Sequence, residues 1–214
     1  MVRKPPDFWM LFSVLVLLGI GFIMIYSATP YVAFQQYQDS YYYIRKHLIS
    51  IIAGFAFFVL GFLLDYHKLK KRALPICLLS FFLLALTFVP FVGMSIGGAA
   101  RWLRLGLLSF QPSEFAKFAV VLFLAQAISV KREKLKDVVF GMFPILIVVG
   151  CLALPVVLQP DLGTAIVMMG TTFMMFFVGG APFWTIFITI LLGLRVVSWF
   201  VSRTPYQQAR LAAF

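Results

Sequence analysis

A glycine-rich segment between two apolar runs, at positions 97–106, contains residues suited to ligand binding or catalysis. Arg101 and Arg104 flank Trp102 in this segment, and the neighbouring glycines allow a ligand to approach the backbone closely. A guanidinium presents a planar fork of donors that suits a phosphate or a carboxylate. Tryptophan and arginine are also common at the headgroup level of a membrane, so an interfacial anchor is the alternative interpretation.

A second charged segment, Gln-Pro-Ser-Glu-Phe-Ala-Lys, follows at residues 111–117. Proline suits the first turn of a helix, so we expect a helix to begin at Pro112. Glu114 and Lys117 are three residues apart, a spacing at which helical side chains can meet. Capping of free N–H groups is the alternative role for Glu114. Capping does not explain Lys117, which lies inside an apolar run, so we predict an ion pair that points into the helix bundle.

A third polar segment, Gln-Pro-Asp-Leu-Gly-Thr, joins two apolar runs at residues 159–164. Asp161 follows a proline that ends one helix, and it can cap the helix that comes next. Alternatively, its carboxylate contributes to a polar cavity that also contains Arg101, Glu114 and Lys117. The sequence leaves both roles open.

The composition describes the elements that must position these residues. Of the 214 residues, 63% are hydrophobic and 12% are charged. A soluble domain has roughly 25% charged residues, so this chain cannot cover a water-facing surface with polar groups. Spans of about 20 apolar residues cross a bilayer, and the chain therefore predicts an all-α polytopic transmembrane bundle of about seven spans. The runs of this kind are Phe8–Ala28, Leu48–Leu64, Ala73–Val92, Phe115–Val130, Val138–Leu158, Thr164–Val178 and Pro182–Val201.

The net charge of +11 does not indicate a nucleic-acid partner. Basic residues form short blocks between apolar runs, and no basic face with interleaved aromatic residues is present. With a cytoplasmic N-terminus, ten basic residues face the cytoplasm and six face outward, as the bias of lysine and arginine towards cytoplasmic loops requires. We therefore predict a multi-pass protein whose segments 93–113 and 159–163 lie on the outer side.

These features predict a polar, partly cationic cavity on the outer side, near the depth of the lipid headgroups. Such a cavity suits an amphiphile with an anionic head, for instance a lipid phosphate or pyrophosphate. No phosphate-binding loop, zinc site or Ser/His/Asp set is visible in the sequence. The residues alone do not distinguish an enzyme from a carrier.

The same three segments resemble the SEDS family (shape, elongation, division and sporulation), the polytopic glycosyltransferases that polymerise peptidoglycan. The matching stretches are Gly98–Leu103 with Gly106, residues 111–117 and residues 159–164. Tyr26–Ala28 and Asp39–Tyr42 resemble the FtsW and SpoVE branch (division and sporulation) more than the RodA branch (elongation).

The resemblance implies about ten spans and a site on the outer face of the bacterial cytoplasmic membrane. The implied substrate is lipid II, the undecaprenyl-pyrophosphate-linked disaccharide pentapeptide. The 4-hydroxyl of one lipid-linked sugar attacks the anomeric carbon of the growing chain, and the lipid pyrophosphate leaves. The implied partner is a class B penicillin-binding protein, and a divalent cation, magnesium or manganese, is implied to assist.

The implied substrate-binding residues are Arg101, Trp102, Glu114, Lys117, Gln159 and Asp161. Arg101 would contact the pyrophosphate, where an opposing charge stabilises the leaving group. Glu114 and Lys117 would form the charged pair that characterises the family. Gln159 and Asp161 would line or brace the cavity.

Two departures from the family pattern affect the expected activity. Tyr206 is followed by Gln207, where the family tail usually has arginine. The presumed catalytic base is an aspartate in the outer loop after the seventh span, which lies beyond Phe214. We therefore expect residues 1–214 to form a single, C-terminally truncated SEDS-type transmembrane domain that contains no catalytic base and does not polymerise glycan alone.

Two other functions are compatible with the sequence. A lipid II flippase would need polar groups along a path through the bilayer, whereas the polar residues here cluster on the outer side. A non-catalytic membrane protein that binds lipid II or the division machinery is the other alternative.

Overall fold

The computed structural model describes residues 7–203 apart from 91, 97–98, 106–107, 132–133 and 136. The chain forms two compact units, unit 1 at Met1–Leu64 and unit 2 at Asp65–Phe214. The helices are α1 (Phe8–Ala28), α2 (Pro30–Tyr37), α3 (Tyr42–Leu63), α4 (Tyr66–Lys71), α5 (Ala73–Leu86), α6 (Pro112–Lys131), α7 (Phe143–Leu158, after a π-helical turn at Val138–Met142), α8 (Leu162–Gly179) and α9 (Phe183–Arg203). The strands are β1 (Gly93–Ile96), β2 (Ala99–Leu105) and β3 (Leu108–Phe110).

Unit 1 contains α1, α2 and α3. The side chain of Asp7 caps α1, because its carboxylate accepts hydrogen bonds from the backbone N–H groups of Trp9 and Met10 at 2.9 and 3.2 Å. The segment between α1 and α3 contains the short helix α2. The rings of Tyr37 and Tyr42 stack at 3.9 Å and join the end of α2 to the start of α3.

Unit 2 has its core among α5, α6, α7 and α8. Ala116 and Ala119 of α6 are fully buried, and small side chains allow neighbouring helices to approach closely in a membrane. The thiol of Cys77 in α5 lies 3.5 Å from the carbonyl oxygen of Ala119, as this close approach requires. Further fully buried side chains of the cluster are Leu84, Leu124, Val149, Val156 and Phe176.

The glycine-rich outer segment contains a small antiparallel sheet with the strand order β1-β2-β3. Met94 pairs with Trp102, and Ser95 pairs with Ala100, so the register shifts at this point and Arg101 is the additional residue on β2. A bulge of this kind bends a strand and redirects a side chain. The sequence predicted only an outer position for this segment, and the three strands were not anticipated.

The prediction of a helical protein with membrane-spanning segments is confirmed, but the count of seven spans is not. Among the described residues, five helical segments are long and apolar enough to cross a membrane. These are Phe8–Ala28, Tyr42–Leu63, Pro112–Val130, Val138–Leu158 and Leu162–Gly179. Two further apolar helical segments are shorter, Ala73–Leu86 and Phe183–Arg195. For α5 and α9, a membrane-spanning role therefore stays a prediction.

Candidate functional site

Arg101 is held against the C-terminal end of α7. Its Nε atom donates a hydrogen bond to the carbonyl oxygen of Gln159 at 2.9 Å, and its Nη2 atom donates to the carbonyl oxygen of Pro160 at 2.6 Å. The last carbonyl groups of a helix have no partner within the helix and form the negative end of its dipole. A guanidinium supplies both the missing hydrogen-bond donors and a positive charge, so the predicted anion-binding residue is also a cap for α7.

Gln159 connects α7 to the end of α5. Its Nε2 atom donates to the hydroxyl of Thr87 at 2.7 Å, and that hydroxyl donates in turn to the carbonyl oxygen of Leu84 at 2.7 Å. Gln159 is 2% exposed and Thr87 is 1% exposed. The Oε1 atom of Gln159 is also buried and accepts no hydrogen bond from the described residues.

Asp161 caps α8, which was one of the two roles that the sequence left open. Its carboxylate accepts from the backbone N–H of Thr164 at 3.3 Å and from the hydroxyl of Thr164 at 2.9 Å. The side-chain amide of Gln111 also donates to it, at 3.4 Å. Asp161 therefore joins the first turn of α8 to the residue that precedes α6.

Glu114 and Lys117 form the predicted ion pair, with 2.8 Å between Lys117 Nζ and Glu114 Oε1. The two side chains are 56% and 32% exposed, respectively, so the pair lies on an open face of α6. The neighbouring residues Pro112 and Ser113 are buried and hold the start of α6 against the unit. The prediction that the pair points into the bundle is therefore wrong for the described part of the chain.

Trp102 pairs with Met94 across β1 and β2 and is half-buried. The next residue, Leu103, is buried and pairs with Gly93 on one side and with Phe110 on the other. Trp102 thus belongs to the sheet that carries Arg101. The backbone of Arg104 pairs with Ser109.

The structure brings polar residues of all three motifs together at one end of unit 2, where α5 and α7 end and α6 and α8 begin; we call this the motif end. Direct hydrogen bonds connect Arg101 to Gln159 and Asp161 to Gln111. Glu114 and Lys117 lie in the first turns of α6, at the same end. Among the described residues, no ion pair joins them to Arg101 or Asp161.

The predicted outer cavity does not coincide with any of three grooves that described residues of unit 2 form. These grooves have volumes of about 560, 410 and 340 Å³. They are lined mainly by apolar residues of α5 to α9, and none is lined by the six predicted substrate-binding residues.

The described residues do not fit the divalent cation that the resemblance implies. No group of three His, Cys, Asp or Glu residues that could hold a metal ion occurs in this part of the chain. Of the predicted carboxylates, Asp161 accepts three hydrogen bonds and Glu114 is paired with a lysine. We therefore assign no step to a metal.

Two residues of the motif end were not predicted from the sequence. Thr87 follows α5 directly, and its only sequence signal is a hydroxyl at the end of an apolar run. Gly93 lies in β1, where an added Cβ atom would be 2.1 Å from the backbone oxygen of Thr87. Only a residue without a side chain fits this position, so glycine lets β1 pack directly on Thr87.

The apolar helices and the polar contacts at the motif end define a polytopic helical membrane protein. Residues 8–214 match the family described as cell cycle protein, which comprises FtsW, RodA and SpoVE. The chain therefore belongs to the FtsW/RodA/SpoVE family, as the sequence motifs indicated.

Named relatives agree with this assignment. The probable peptidoglycan glycosyltransferase FtsW of Geobacter sp. (strain M18) is 32% identical over 97% of this chain and 57% of its own length. Stage V sporulation protein E of Bacillus subtilis (strain 168) is 35% identical over 99% of this chain and 58% of its own length. The chain thus spans less than two thirds of the length of these relatives.

Solved structures show the same fold. A chain in a structure described as "Structural coordination of polymerization and crosslinking by a peptidoglycan synthase complex" matches with a TM-score of 0.78 and 29% identity, over 98% of this chain and 59% of that one. The rod shape determining protein RodA of Thermus thermophilus matches with a TM-score of 0.70 and 29% identity, over 89% of this chain and 59% of that one.

Proposed function

We propose that this chain is the lipid II-binding part of a peptidoglycan glycan-strand polymerase. Its relatives are named peptidoglycan glycosyltransferases, and the three motifs that resemble the family meet at one end of unit 2. The contact of Arg101 with Gln159 is the observation that carries the proposal, because it joins two of these motifs directly. The motif end is the place where the anionic pyrophosphate of lipid II binds.

The chemistry of the motif end supports an anionic ligand. Arg101 uses Nε and Nη2 for α7, and its Nη1 atom has no hydrogen bond to the described residues. This nitrogen remains a charge-assisted donor for a phosphate oxygen. Lys117 supplies a second cation, whose charge Glu114 partly balances.

An enzyme that works at one membrane face is favoured over a carrier. The polar residues of the three motifs all belong to the motif end; they are Arg101, Gln111, Glu114, Lys117, Gln159 and Asp161. A flippase would require polar groups along the length of the helices, where the head of the lipid crosses. We place the motif end at the outer face of the bacterial cytoplasmic membrane and the N-terminus in the cytoplasm, on the basis of the lysine and arginine bias.

We also propose a penicillin-binding protein of class B as the partner. The support is the match to a chain in a peptidoglycan synthase complex that coordinates polymerization and crosslinking. The resemblance puts the catalytic aspartate outside residues 1–214. Binding of lipid II, and not polymerisation, is therefore the property expected from this chain alone.

Vesicles that contain the chain and fluorescent lipid II test the proposal. We expect saturable binding of lipid II, no glycan polymer on a gel, and no transfer of the label to the opposite leaflet. The control is Lys134→Ala, which removes an exposed cation from the segment that follows α6, at the other end of that helix. Translocation would support the flippase instead, and absence of binding would contradict the proposal.

A further inference from the structure

Thr87 has a fixed hydrogen-bonding role at the motif end, although it belongs to none of the recognised motifs. A threonine hydroxyl has one hydrogen to donate and can accept further hydrogen bonds. The hydrogen of Thr87 is used on the carbonyl oxygen of Leu84. The hydroxyl can therefore only accept from Gln159, and this requirement fixes which end of the Gln159 amide faces it.

The orientation of the Gln159 side chain follows from this contact. Its NH₂ group faces Thr87 at 2.7 Å, and its Oε1 atom faces away. The backbone oxygen of the same residue accepts the Nε–H of Arg101. Gln159 is thus held by Thr87 through its side chain while it holds Arg101 through its backbone.

A second contact links Thr87 to Arg101 through the sheet. Gly93 packs on the backbone of Thr87 so closely that a Cβ atom would be 2.1 Å from the Thr87 carbonyl oxygen. Gly93 pairs with Leu103 on β2, two residues beyond the bulge at Arg101. Thr87 therefore touches both elements that determine where the guanidinium lies, the end of α7 and the β1–β2 hairpin.

We propose that Thr87 is a positioning residue that sets the orientation of Arg101 through Gln159, and thereby controls binding of a pyrophosphate-bearing lipid. The ligand in this inference rests on the proposed function, whereas the hydrogen-bond geometry around Thr87 does not depend on it. Thr87 does not touch the lipid. Its loss acts by allowing the Gln159 backbone and the Arg101 guanidinium to move.

The test compares Thr87→Val, which removes the hydroxyl and keeps the shape, with Thr87→Ser, which keeps the hydroxyl. The first measurement is the exchange rate of the Arg101 Nε–H with water, followed by NMR in lipid nanodiscs and assigned by its loss in Arg101→Lys. One net hydrogen bond corresponds to roughly a tenfold change. We expect about tenfold faster exchange in Thr87→Val and recovery to within about twofold in Thr87→Ser.

The second measurement is the Kd for undecaprenyl pyrophosphate in the same nanodiscs. We expect it to rise about tenfold in Thr87→Val and to recover in Thr87→Ser. Thr172→Val is the matched control, because Thr172 is also fully buried and, among the described residues, its hydroxyl bonds only to Met168 of its own helix. It should leave both the Arg101 exchange rate and the Kd unchanged.

The two measurements separate failure of the inference from failure of the proposed function. If the unmodified chain does not bind the lipid, the proposed function fails, while the exchange rate still tests the role of Thr87. Slow exchange of Arg101 in Thr87→Val would overturn the inference. If Thr87→Val does not fold, Gln159→Met removes the same hydrogen bond from the other side and must give the same acceleration.

Discussion

Arg101 and Gln159 are 58 residues apart in the sequence, and the guanidinium of the first donates to the backbone oxygen of the second at 2.9 Å. The contact depends on the bulge in β2, which leaves Arg101 outside the pairing register, and on the end of α7, which presents two carbonyl groups. The structure shows Arg101 as a cap for α7, and in the proposed function its Nη1 atom is also the donor to the anion.

The shape of the guanidinium predicts the effect of Arg101→Lys. Lysine keeps the charge but lacks the rigid fork that reaches two carbonyl oxygens. We expect the free energy of unfolding to fall by about 1.5–3 kcal/mol, the range for a hydrogen bond to a charged group. Thermal unfolding in nanodiscs measures this, with Arg45→Lys in unit 1 as the matched control. An unchanged free energy of unfolding in Arg101→Lys would show that the positive charge alone is enough to stabilise the end of α7.

The tight contact between Gly93 and Thr87 predicts a large effect of Gly93→Ala. A Cβ atom 2.1 Å from a backbone oxygen forces the strand or the end of α5 to move. We expect a loss of about 1–3 kcal/mol in the free energy of unfolding, as for other overpacked sites. Gly170→Ala in α8 is the control, because nothing lies within 4 Å of its added Cβ atom. Equal effects of the two substitutions would refute the close contact.

The ion pair of Glu114 and Lys117 has a coupling energy whose size depends on whether the pair lies in water or in the membrane. Exposed pairs in water contribute at most about 1 kcal/mol, whereas an unpaired charge inside a membrane is costly. We expect Glu114→Gln and Lys117→Met each to destabilise the chain in nanodiscs, and the double variant to recover part of the loss. A double-mutant cycle should give a coupling above about 1 kcal/mol. A coupling of a few tenths would instead place the pair in water.

The cap at Asp161 predicts different effects of two substitutions. Asp161→Ala removes the acceptor for the Thr164 N–H, and loss of a helix cap costs about 0.5–2 kcal/mol. Asp161→Asn keeps one oxygen and should retain most of the cap. We expect faster amide exchange at Thr164 in the alanine variant only, with Asp7→Ala in α1 as a control in the other unit. An unchanged amide exchange rate at Thr164 in Asp161→Ala would show that Asp161 does not cap α8.

Local features of the site were predictable because they depend on neighbours in the sequence. Pro112 begins α6 as expected, and the spacing of Glu114 and Lys117 was enough to predict their ion pair. The cap at Asp161 likewise needs only the first turn of the helix that follows. Hydrophobicity predicted where helices occur, although it did not show that α5 ends at Leu86 and gives way to a sheet.

Contacts between distant segments could not be predicted in the same way. The bulge at Arg101 depends on how two short strands pair, and a shift of one residue changes which side chain is redirected. The sequence has two consecutive glycines at positions 97–98, a pair that is common in hairpin turns, but no local signal fixes which residues of the flanking strands pair. The bond between Thr87 and Gln159 spans 72 residues and has no local signal.

Binding of the pyrophosphate at the motif end can be measured as the affinity of the chain for lipid II in nanodiscs. We compare the unmodified protein with Arg101→Ala and Lys134→Ala. We predict that Arg101→Ala weakens binding at least about tenfold, since it removes a charge-assisted contact, while Lys134→Ala binds normally. Equal affinities of Arg101→Ala and the unmodified chain would contradict the claim that the motif end binds the pyrophosphate.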